Sequence, residues 1–138
     1  MSFLVLQMKQ KITVKYFTLQ KKVEKILITL VIPAYNEERY IYNTLWKISR
    51  QRFLGILEVI IADGNSNDET LNFIKKASND FPNLSITVTE GGKVGYGRNQ
   101  GASLVTTPYI LFMDADSILI EEDILSEAIQ YLETHEII

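Results

Sequence analysis

The sequence alternates between short apolar runs and longer segments in which apolar residues recur at helical spacing. Each of four runs rich in Ile, Leu, Val or Thr is followed by a polar turn and then by one such segment. The runs are ILITLVI (26–32), LEVIIAD (57–63), SITVTE (85–90) and YILFMD (109–114). Continuous β-branched runs are typical of strands buried on both faces of a parallel sheet. Four successive β-α units therefore predict an α/β fold, with a mostly parallel sheet and helices on both faces.

The polar turns predict where the helices begin. Asn36 is the predicted N-cap of the first helix, and Ser66 with Glu69 forms a predicted capping box for the second. A glycine-rich loop, GGKVGYG, precedes a short third helix. The predicted first, third and last helices cover residues 36–51, 98–105 and 121–133.

The residue types that are absent limit the chemistry. The chain of 138 residues has no cysteine, and its single histidine is His135. Disulfides, thiolate zinc sites, cysteine nucleophiles and a Ser-His-Asp triad within one chain are therefore not expected. A bound metal would need oxygen ligands, which favours Mg²⁺ or Mn²⁺.

Targeting features are also absent from the sequence. The sequence contains no run of about 18 apolar residues, so it predicts no membrane-spanning helix. The first ten residues lack the basic region and the small-residue cleavage site of a secretory signal. The expected location is therefore cytoplasmic.

Charge divides the chain into two parts. Residues 1–25 contain six lysines and one glutamate, a charge of +5, whereas the remainder has 8 basic and 16 acidic residues, a charge of −8. We therefore expect a basic N-terminal extension, 1–25, before an α/β domain at 26–138. The extension is either a solvated or strand-like addition or a contact to anionic lipid at the cytoplasmic face of a membrane. The acidic domain disfavours a nucleic-acid partner.

Polar residues follow every predicted strand. In parallel sheets, ligands bind beyond the carboxyl ends of the strands. Asp114 and Asp116 are the strongest candidates, because side chains at i and i+2 of an extended strand point the same way and two adjacent carboxylates repel unless a cation intervenes. Arg98, after the glycine-rich loop, is a candidate for an anion. Tyr35 either stacks on a ligand or packs against the sheet edge.

Four motifs, in this order and at these separations, carry a resemblance to a known family. They are LVIPAYNEERYIYNTLWKI, EVIIADGNSNDET, GYGRNQGA and YILFMDADS. Over about residues 26–132 the chain resembles the nucleotide-binding half of a family 2 glycosyltransferase, with the Rossmann-like A-type nucleotide-diphospho-sugar transferase fold. The resemblance implies transfer of a sugar from a nucleoside-diphosphate sugar to an acceptor hydroxyl, with inversion and with Mn²⁺ or Mg²⁺.

The resemblance also implies roles for individual residues in nucleotide binding. Ala34, Tyr35 and Glu37 would border the base and ribose. Asp63 would accept a hydrogen bond from the base, which mildly favours uridine, although guanine also offers N–H donors. Arg98 would face the base or the diphosphate.

The two aspartates of the D-x-D motif take the remaining implied roles. Asp114 would face the ribose or the metal, and Asp116 would be the direct metal ligand. Domains of this family continue well past this motif into an acceptor-binding half that carries the general base, whereas this chain ends 22 residues after Asp116. The domain is therefore expected to be truncated, and the catalytic base stays unassigned, since Glu121 and Glu122 fit the start of the last helix better.

This departure leaves two alternatives within the family. Either the acceptor site comes from sequence outside this chain, from a second copy or from another subunit, or the chain binds the donor and is inactive alone.

A dinucleotide-binding oxidoreductase is a rival outside the family. Its fingerprint is approached by Gly95, Gly97 and Gly101, which read G-x-G-x-x-x-G, one residue longer than required. That rival leaves the Asp63 and D-x-D carboxylates unexplained. A non-enzymatic module that docks through the basic extension is the third alternative.

Overall fold

A computed structural model describes residues 28–53 and 55–135. The predicted basic extension, 1–25, lies outside these residues. Four strands alternate with four helices. The strands are β1 (Ile28–Ala34), β2 (Leu57–Asp63), β3 (Leu84–Glu90) and β4 (Tyr109–Phe112), and the helices are α1 (Ile41–Ser49), α2 (Thr70–Asp80), α3 (Val94–Ser103) and α4 (Ile124–Thr134).

The four strands form one sheet in the order β3-β2-β1-β4, and every pairing is parallel. Ala34 is in register with Asp63, and Asp63 is in register with Glu90. The carboxyl ends of β1, β2 and β3 therefore lie side by side at one edge. This arrangement confirms the predicted α/β fold and brings the predicted ligand-binding turns together.

Helices cover both faces of the sheet. On one face, Leu30 and Ile32 of β1 join a core that includes Leu45 of α1, Ile74 of α2 and Leu125 of α4. On the other face, α3 lies so close that a Cβ on Gly101 would meet Val31 Cγ1 at 2.4 Å, and one on Gly97 would meet Ala62 Cβ at 3.4 Å. The two central strands, β1 and β2, have continuous apolar sequence because both of their faces are buried.

Two predicted helix starts are wrong. Asn36 is not an N-cap: it has φ of 50°, and α1 begins at Ile41 after a turn. Ser66 and Glu69 do not form a capping box, since no side chain caps α2. In both turns the polar side chains bond to the neighbouring loop, and this tertiary pairing replaces the local cap that the sequence pattern predicts.

The third helix also begins earlier than predicted. It starts at Val94, so the second half of the predicted glycine-rich loop is helical. Gly95, Gly97 and Gly101 all lie inside α3, and Gly97 and Gly101 pack against the sheet. The spacing of Gly97 and Gly101 therefore serves close helix-sheet packing, and the three glycines do not form a phosphate-binding turn.

The strand before the D-x-D motif differs from its prediction in two ways. An apolar run of this kind predicts a central strand, yet β4 is at the edge of the described sheet, and Ile110 and Phe112 are 40% and 45% exposed. The strand ends at Phe112, and Ser117 N–H donates to Asp114 O in a turn (3.0 Å). Asp114 and Asp116 therefore lie on a turn and not on the extended strand that the sequence predicts.

Within the described residues, the helices are too short or too polar to cross a membrane.

Candidate functional site

The site begins where the loops after β1 and β2 are bonded to each other. The hydroxyl of Ser66 donates to Asp63 Oδ1 (2.6 Å) and accepts from the backbone N–H of Asn36 (2.9 Å). Ser66 N–H donates to Asp63 Oδ2 (3.0 Å), and Asn67 N–H donates to Asn36 Oδ1 (2.9 Å). Asp63 is therefore held in one orientation, and Tyr35, which precedes Asn36, is 57% exposed at the rim of the site.

Thr70 forms a second link between the same loops. Its buried hydroxyl accepts from the backbone N–H of Glu37 (2.8 Å) and donates to Asp68 Oδ1 (2.5 Å). Asp68 Oδ2 in turn accepts from Glu38 N–H (3.3 Å), and Glu38 Oε2 accepts from Glu69 N–H (3.1 Å). The hydroxyl therefore fixes where the Glu37 backbone lies.

We expect Thr70→Val to destabilise the protein by about 1–3 kcal/mol, because the valine keeps the shape but leaves the Glu37 N–H without its acceptor. Urea unfolding measures the change, and Thr70→Ser, which retains the hydroxyl, is the matched control. Equal stability of the valine and serine variants would contradict the role assigned to the hydroxyl.

The D-x-D turn is anchored by its middle residue. Ala115 is 2% exposed, and its carbonyl accepts from the buried hydroxyl of Thr44 on α1 (2.7 Å). Met113 N–H donates to Val31 O (3.0 Å), which ties the start of the turn to β1. Because Ala115 points inward, the flanking Asp114 and Asp116 are exposed at the edge of the sheet.

Arg98 reaches the D-x-D turn from α3. Its Nη2 lies 3.2 Å from Asp114 Oδ1, and both side chains stay about half exposed, at 44% and 62%. The small residues on the buried face of α3 bring the helix close to β1 and β2, and this places Arg98 beside the strand ends. The guanidinium retains donors that are free to contact an anion, since one pair leaves most of its five N–H groups available.

Carboxylates surround Glu37 on the same side. Burial raises the pKa of the Glu37 carboxyl above its usual value, and the negative charges of Asp116, Asp68 and Asp114 raise it further. The negative charges of Asp116, Asp68 and Asp114 therefore act on Glu37 at this edge. Such a surplus of negative charge favours a cation.

The donor set fits Mg²⁺ or Mn²⁺. Asp114 and Asp116 supply exposed carboxylate oxygens, which are the ligands that these ions prefer. In the described part of the chain, no three acidic or histidine side chains form a ready metal site. Mg²⁺ commonly uses one or two carboxylates together with substrate phosphates, so two aspartates beside Arg98 suffice for an ion that arrives with a diphosphate.

A cleft of about 630 Å³ opens beyond the ends of β2 and β3. It is lined by three glycines, Gly64, Gly91 and Gly92, and by side chains that include Asp63, Leu71, Val88, Glu90 and Tyr96. A Cβ on Gly91 would lie 2.6 Å from Ala62 O, so the backbone at Gly91 packs directly on β2.

The predicted site residues form two groups at one sheet edge. Arg98 contacts Asp114, and the carboxylates of Asp114 and Asp116 act electrostatically on Glu37. Ala34 is buried at the end of β1, where its carbonyl accepts from Gly64 N–H (2.8 Å), and Tyr35 Cβ lies near Gly64. Asp63 lines the cleft between β2 and β3.

The sequence prediction missed several residues that shape this site. The sequence pattern predicts only a local cap for Ser66 and does not single out Thr70, yet the hydroxyls of both residues bond to backbone N–H groups about 30 positions away along the chain. Glu90 and Tyr96 line the cleft and were not predicted. Glu90 ends a predicted strand, as Asp63 does, and this shared position was the available signal.

The chain is similar to known proteins in both sequence and structure. The Glycosyl transferase family 2 profile matches residues 29–137. The chain belongs to this family, which confirms the resemblance seen in the motifs. A relative in Bacillus subtilis, the uncharacterized glycosyltransferase YfnE, is 32% identical over 108 residues, which is 78% of this chain and 27% of YfnE.

A second relative is the poly(ribitol-phosphate) β-N-acetylglucosaminyltransferase TarS of Staphylococcus aureus, 30% identical over 78% of this chain and 19% of TarS. The crystal structure of TarS 1–349 in complex with UDP-GlcNAc has a TM-score of 0.69 and 29% identity, and the match covers 80% of this chain and 32% of that one. The chain thus spans a third or less of these relatives.

A more distant structure supports the fold alone. The mannosyltransferase PcManGT of Pyrobaculum calidifontis, in complex with GDP-Man and Mn²⁺, has a TM-score of 0.71 and 24% identity, over 87% of this chain and 39% of that one. Both structural likenesses confirm the A-type glycosyltransferase fold over the described sheet.

Proposed function

We propose that this chain is the donor-binding part of a glycosyltransferase that transfers a sugar from a nucleoside-diphosphate sugar to an acceptor hydroxyl, with inversion at the anomeric carbon. The observation that carries the proposal is the contact between Arg98 and Asp114 beside the other site carboxylates. A cationic guanidinium and a set of acidic oxygens at one strand edge suit a diphosphate with its divalent ion.

Each residue of the site would bind a different part of the donor. Arg98 would bind a phosphate oxygen or the base, and Asp114 would bind the ribose or share the metal. Asp116 is the proposed direct ligand of Mn²⁺ or Mg²⁺, which when bound would supply Lewis-acid neutralisation of the departing diphosphate. Ala34 and Tyr35, at the end of β1, would border the ribose and base.

Glu37 and Asp63 complete the proposed nucleotide site. Glu37 borders the same region, and its backbone is fixed by Thr70. Asp63, held by Ser66, would accept from a base N–H. A uridine nucleotide is the preferred donor, supported by the UDP-GlcNAc complex of TarS.

The acceptor half is proposed to come from outside the described residues. An inverting displacement requires a general base beside the acceptor hydroxyl, and no described residue is assigned that role. The base would come from further sequence, a second copy or another subunit. Without that part, the chain would bind the donor and would not turn it over. We also propose a cytoplasmic location, with the basic extension at residues 1–25 as a contact for an anionic membrane surface.

Thermal unfolding in the presence of UDP-, GDP- and dTDP-sugars, with and without Mn²⁺, tests the proposal. We expect at least one donor to raise the unfolding temperature and Mn²⁺ to increase the shift, because binding to the folded state stabilises it. The absence of any shift at millimolar donor would contradict the proposed function. Sugar release or transfer by the purified chain, measured in parallel, would decide between an active enzyme and a donor-binding part.

A further inference from the structure

Gln51 is a buried polar side chain to which the proposed donor site gives no role. It lies two residues after the end of α1 and is 4% exposed. A buried carboxamide is costly to fold unless both its donor and its acceptor are paired. The partners of Gln51 therefore indicate what the side chain is for.

The carboxamide of Gln51 is bonded at both ends to the chain that follows the D-x-D turn. Its Nε2 donates to the carbonyl of Glu121 (2.5 Å), and its Oε1 accepts from the backbone N–H of Leu125 (3.1 Å). Leu125 is in the first turn of α4, whose own N-cap side chain forms no cap bond. The N–H of Arg52 also donates to the carbonyl of Glu122 (2.7 Å). The residues after α1 therefore hold the start of α4 in one position.

The D-x-D turn and the start of α4 are thus attached to the same part of the fold. Thr44 holds Ala115 at one end of the connecting segment, and Gln51 holds the chain at the other end. Among the described residues, 118–120 form no backbone hydrogen bond between these two attachments. Asp116 directly follows the first attachment, so the path of the chain beyond it depends on the second.

We infer that Gln51 is a positioning residue for the metal site, because its carboxamide fixes the chain after the D-x-D turn and so holds the Asp116 carboxylate in place for a divalent ion. This inference rests on the proposed function. Gln51 would touch neither the ion nor the nucleotide, since it is buried and bonded to backbone groups. Groups that orient a metal ligand without touching the metal change metal affinity by about 10- to 100-fold when they are replaced.

Two substitutions of Gln51 separate its two hydrogen bonds. Gln51→Met keeps the length of the side chain and removes both bonds, so we expect it to bind Mn²⁺ about tenfold more weakly in the presence of UDP. Gln51→Glu keeps an acceptor for the Leu125 N–H but has no donor for the Glu121 carbonyl, so it should retain the cap of α4 and still lose Mn²⁺ affinity. The UDP affinity measured in EDTA should stay at the wild-type value in both variants.

Asn83 provides a matched control for the loss of a carboxamide. Its Nδ2 also donates to a backbone carbonyl at the end of α1, that of Ser49 (2.8 Å), and within the described residues it has no bond to the D-x-D turn. Asn83→Ala should lower the unfolding temperature and leave Mn²⁺ affinity unchanged. Arg52→Ala should also leave it unchanged, because it removes only exposed ion pairs and keeps the backbone bond to Glu122.

Titration of the full chain with Mn²⁺ in the presence of UDP, followed by electron paramagnetic resonance of the free ion, measures the metal affinity of each variant. Calorimetric titration with UDP in EDTA measures nucleotide binding that does not involve the metal. Thermal unfolding verifies that each variant is folded at the temperature of the titrations. If Gln51→Met does not fold, Gln51→Glu decides the result.

The outcomes distinguish this inference from the proposed function. Weaker Mn²⁺ binding in the folded Gln51 variants, with wild-type binding in Asn83→Ala, would support the inference. Unchanged Mn²⁺ affinity in the folded Gln51 variants, an equal loss in Asn83→Ala, or an equal loss of UDP affinity in EDTA would overturn it and leave the proposed function standing. A wild-type chain that binds no UDP in the presence of Mn²⁺ would overturn both.

Discussion

Asp116→Ala is expected to lower the affinity for a nucleoside diphosphate in the presence of Mn²⁺ by about a hundredfold, since losing one partner of a close charge contact costs about 2–5 kcal/mol. The expected effect reverses in sign without metal. The carboxylates of Asp114 and Asp116 would then repel the diphosphate, so the variant should bind as well as the wild type or slightly better. Calorimetric titration with UDP and GDP, once with Mn²⁺ and once with EDTA, measures the nucleotide affinity with and without the metal.

Asp123→Ala is the matched control for this substitution. Asp123 is also a partly exposed aspartate, but its carboxylate contacts Arg52, which follows α1 away from the D-x-D turn (3.4 Å). The control should keep the wild-type response to Mn²⁺. An Asp116→Ala variant with an unchanged Mn²⁺ response would show that the metal ligand is wrongly assigned, even if nucleotide binding itself were found.

Asp114→Ala should differ from Asp116→Ala in its effect on the site, because only Asp114 forms an ion pair with Arg98. Removing Asp114 frees Arg98 from its ion pair while taking away one site oxygen. The exposed pair itself contributes little to stability, about 0–1 kcal/mol. The folded state should therefore be nearly unchanged, which makes this variant a clean probe of the site.

The layered fold could be predicted because it is encoded locally. Each apolar run is a contiguous stretch, and each helix carries its own apolar face, so the order of elements can be interpreted without knowing what they contact. The convergence of polar turns also follows, because parallel strands place their carboxyl ends at one edge. This argument, together with the family motifs, assigns Asp63, Arg98 and Asp114 to the site, and that assignment stays a prediction.

The contacts between loops could not be predicted in the same way. Asn36 and Ser66 each have the chemistry of a helix cap, and the sequence pattern alone favours that role. In the fold they bond to each other across 30 residues, because the adjacent ends of β1 and β2 bring their loops together. The choice between a local cap and a distant partner depends on tertiary structure, which a window of sequence does not contain.

The apolar character of β4 was also insufficient to place it. A parallel strand can be apolar whether it pairs with a strand on one side or on both sides. The run YILF therefore does not distinguish an edge position from a central one. The exposure of Ile110 and Phe112 appears only once the other elements are in place. The D-x-D turn could not be predicted for the same reason, because its geometry depends on the hydrogen bond from the Thr44 hydroxyl to the Ala115 carbonyl.

Gly101→Val is expected to destabilise the protein by about 3 kcal/mol, because a Cβ at this position would lie 2.4 Å from Val31 Cγ1 in the fully buried core. Val31 is β-branched and stiff at χ1, so it has little freedom to move aside. Relief then requires α3 to move away from β1, and Arg98, one turn earlier on the same helix, would move with it. Donor affinity should therefore fall together with stability.

Gly95→Val is the matched control for this effect. Gly95 is on the same helix, but a Cβ there would have no neighbour within 4 Å. Valine is also a better helix former than glycine, so the control should be as stable as the wild type or more stable by up to about 0.5 kcal/mol. Chemical denaturation of both variants gives the stability difference, and UDP titration below the unfolding transition gives the affinity. If the two variants were equally stable, the close packing of α3 on β1 would not be what positions Arg98, and the spacing of glycines in this helix would need another explanation.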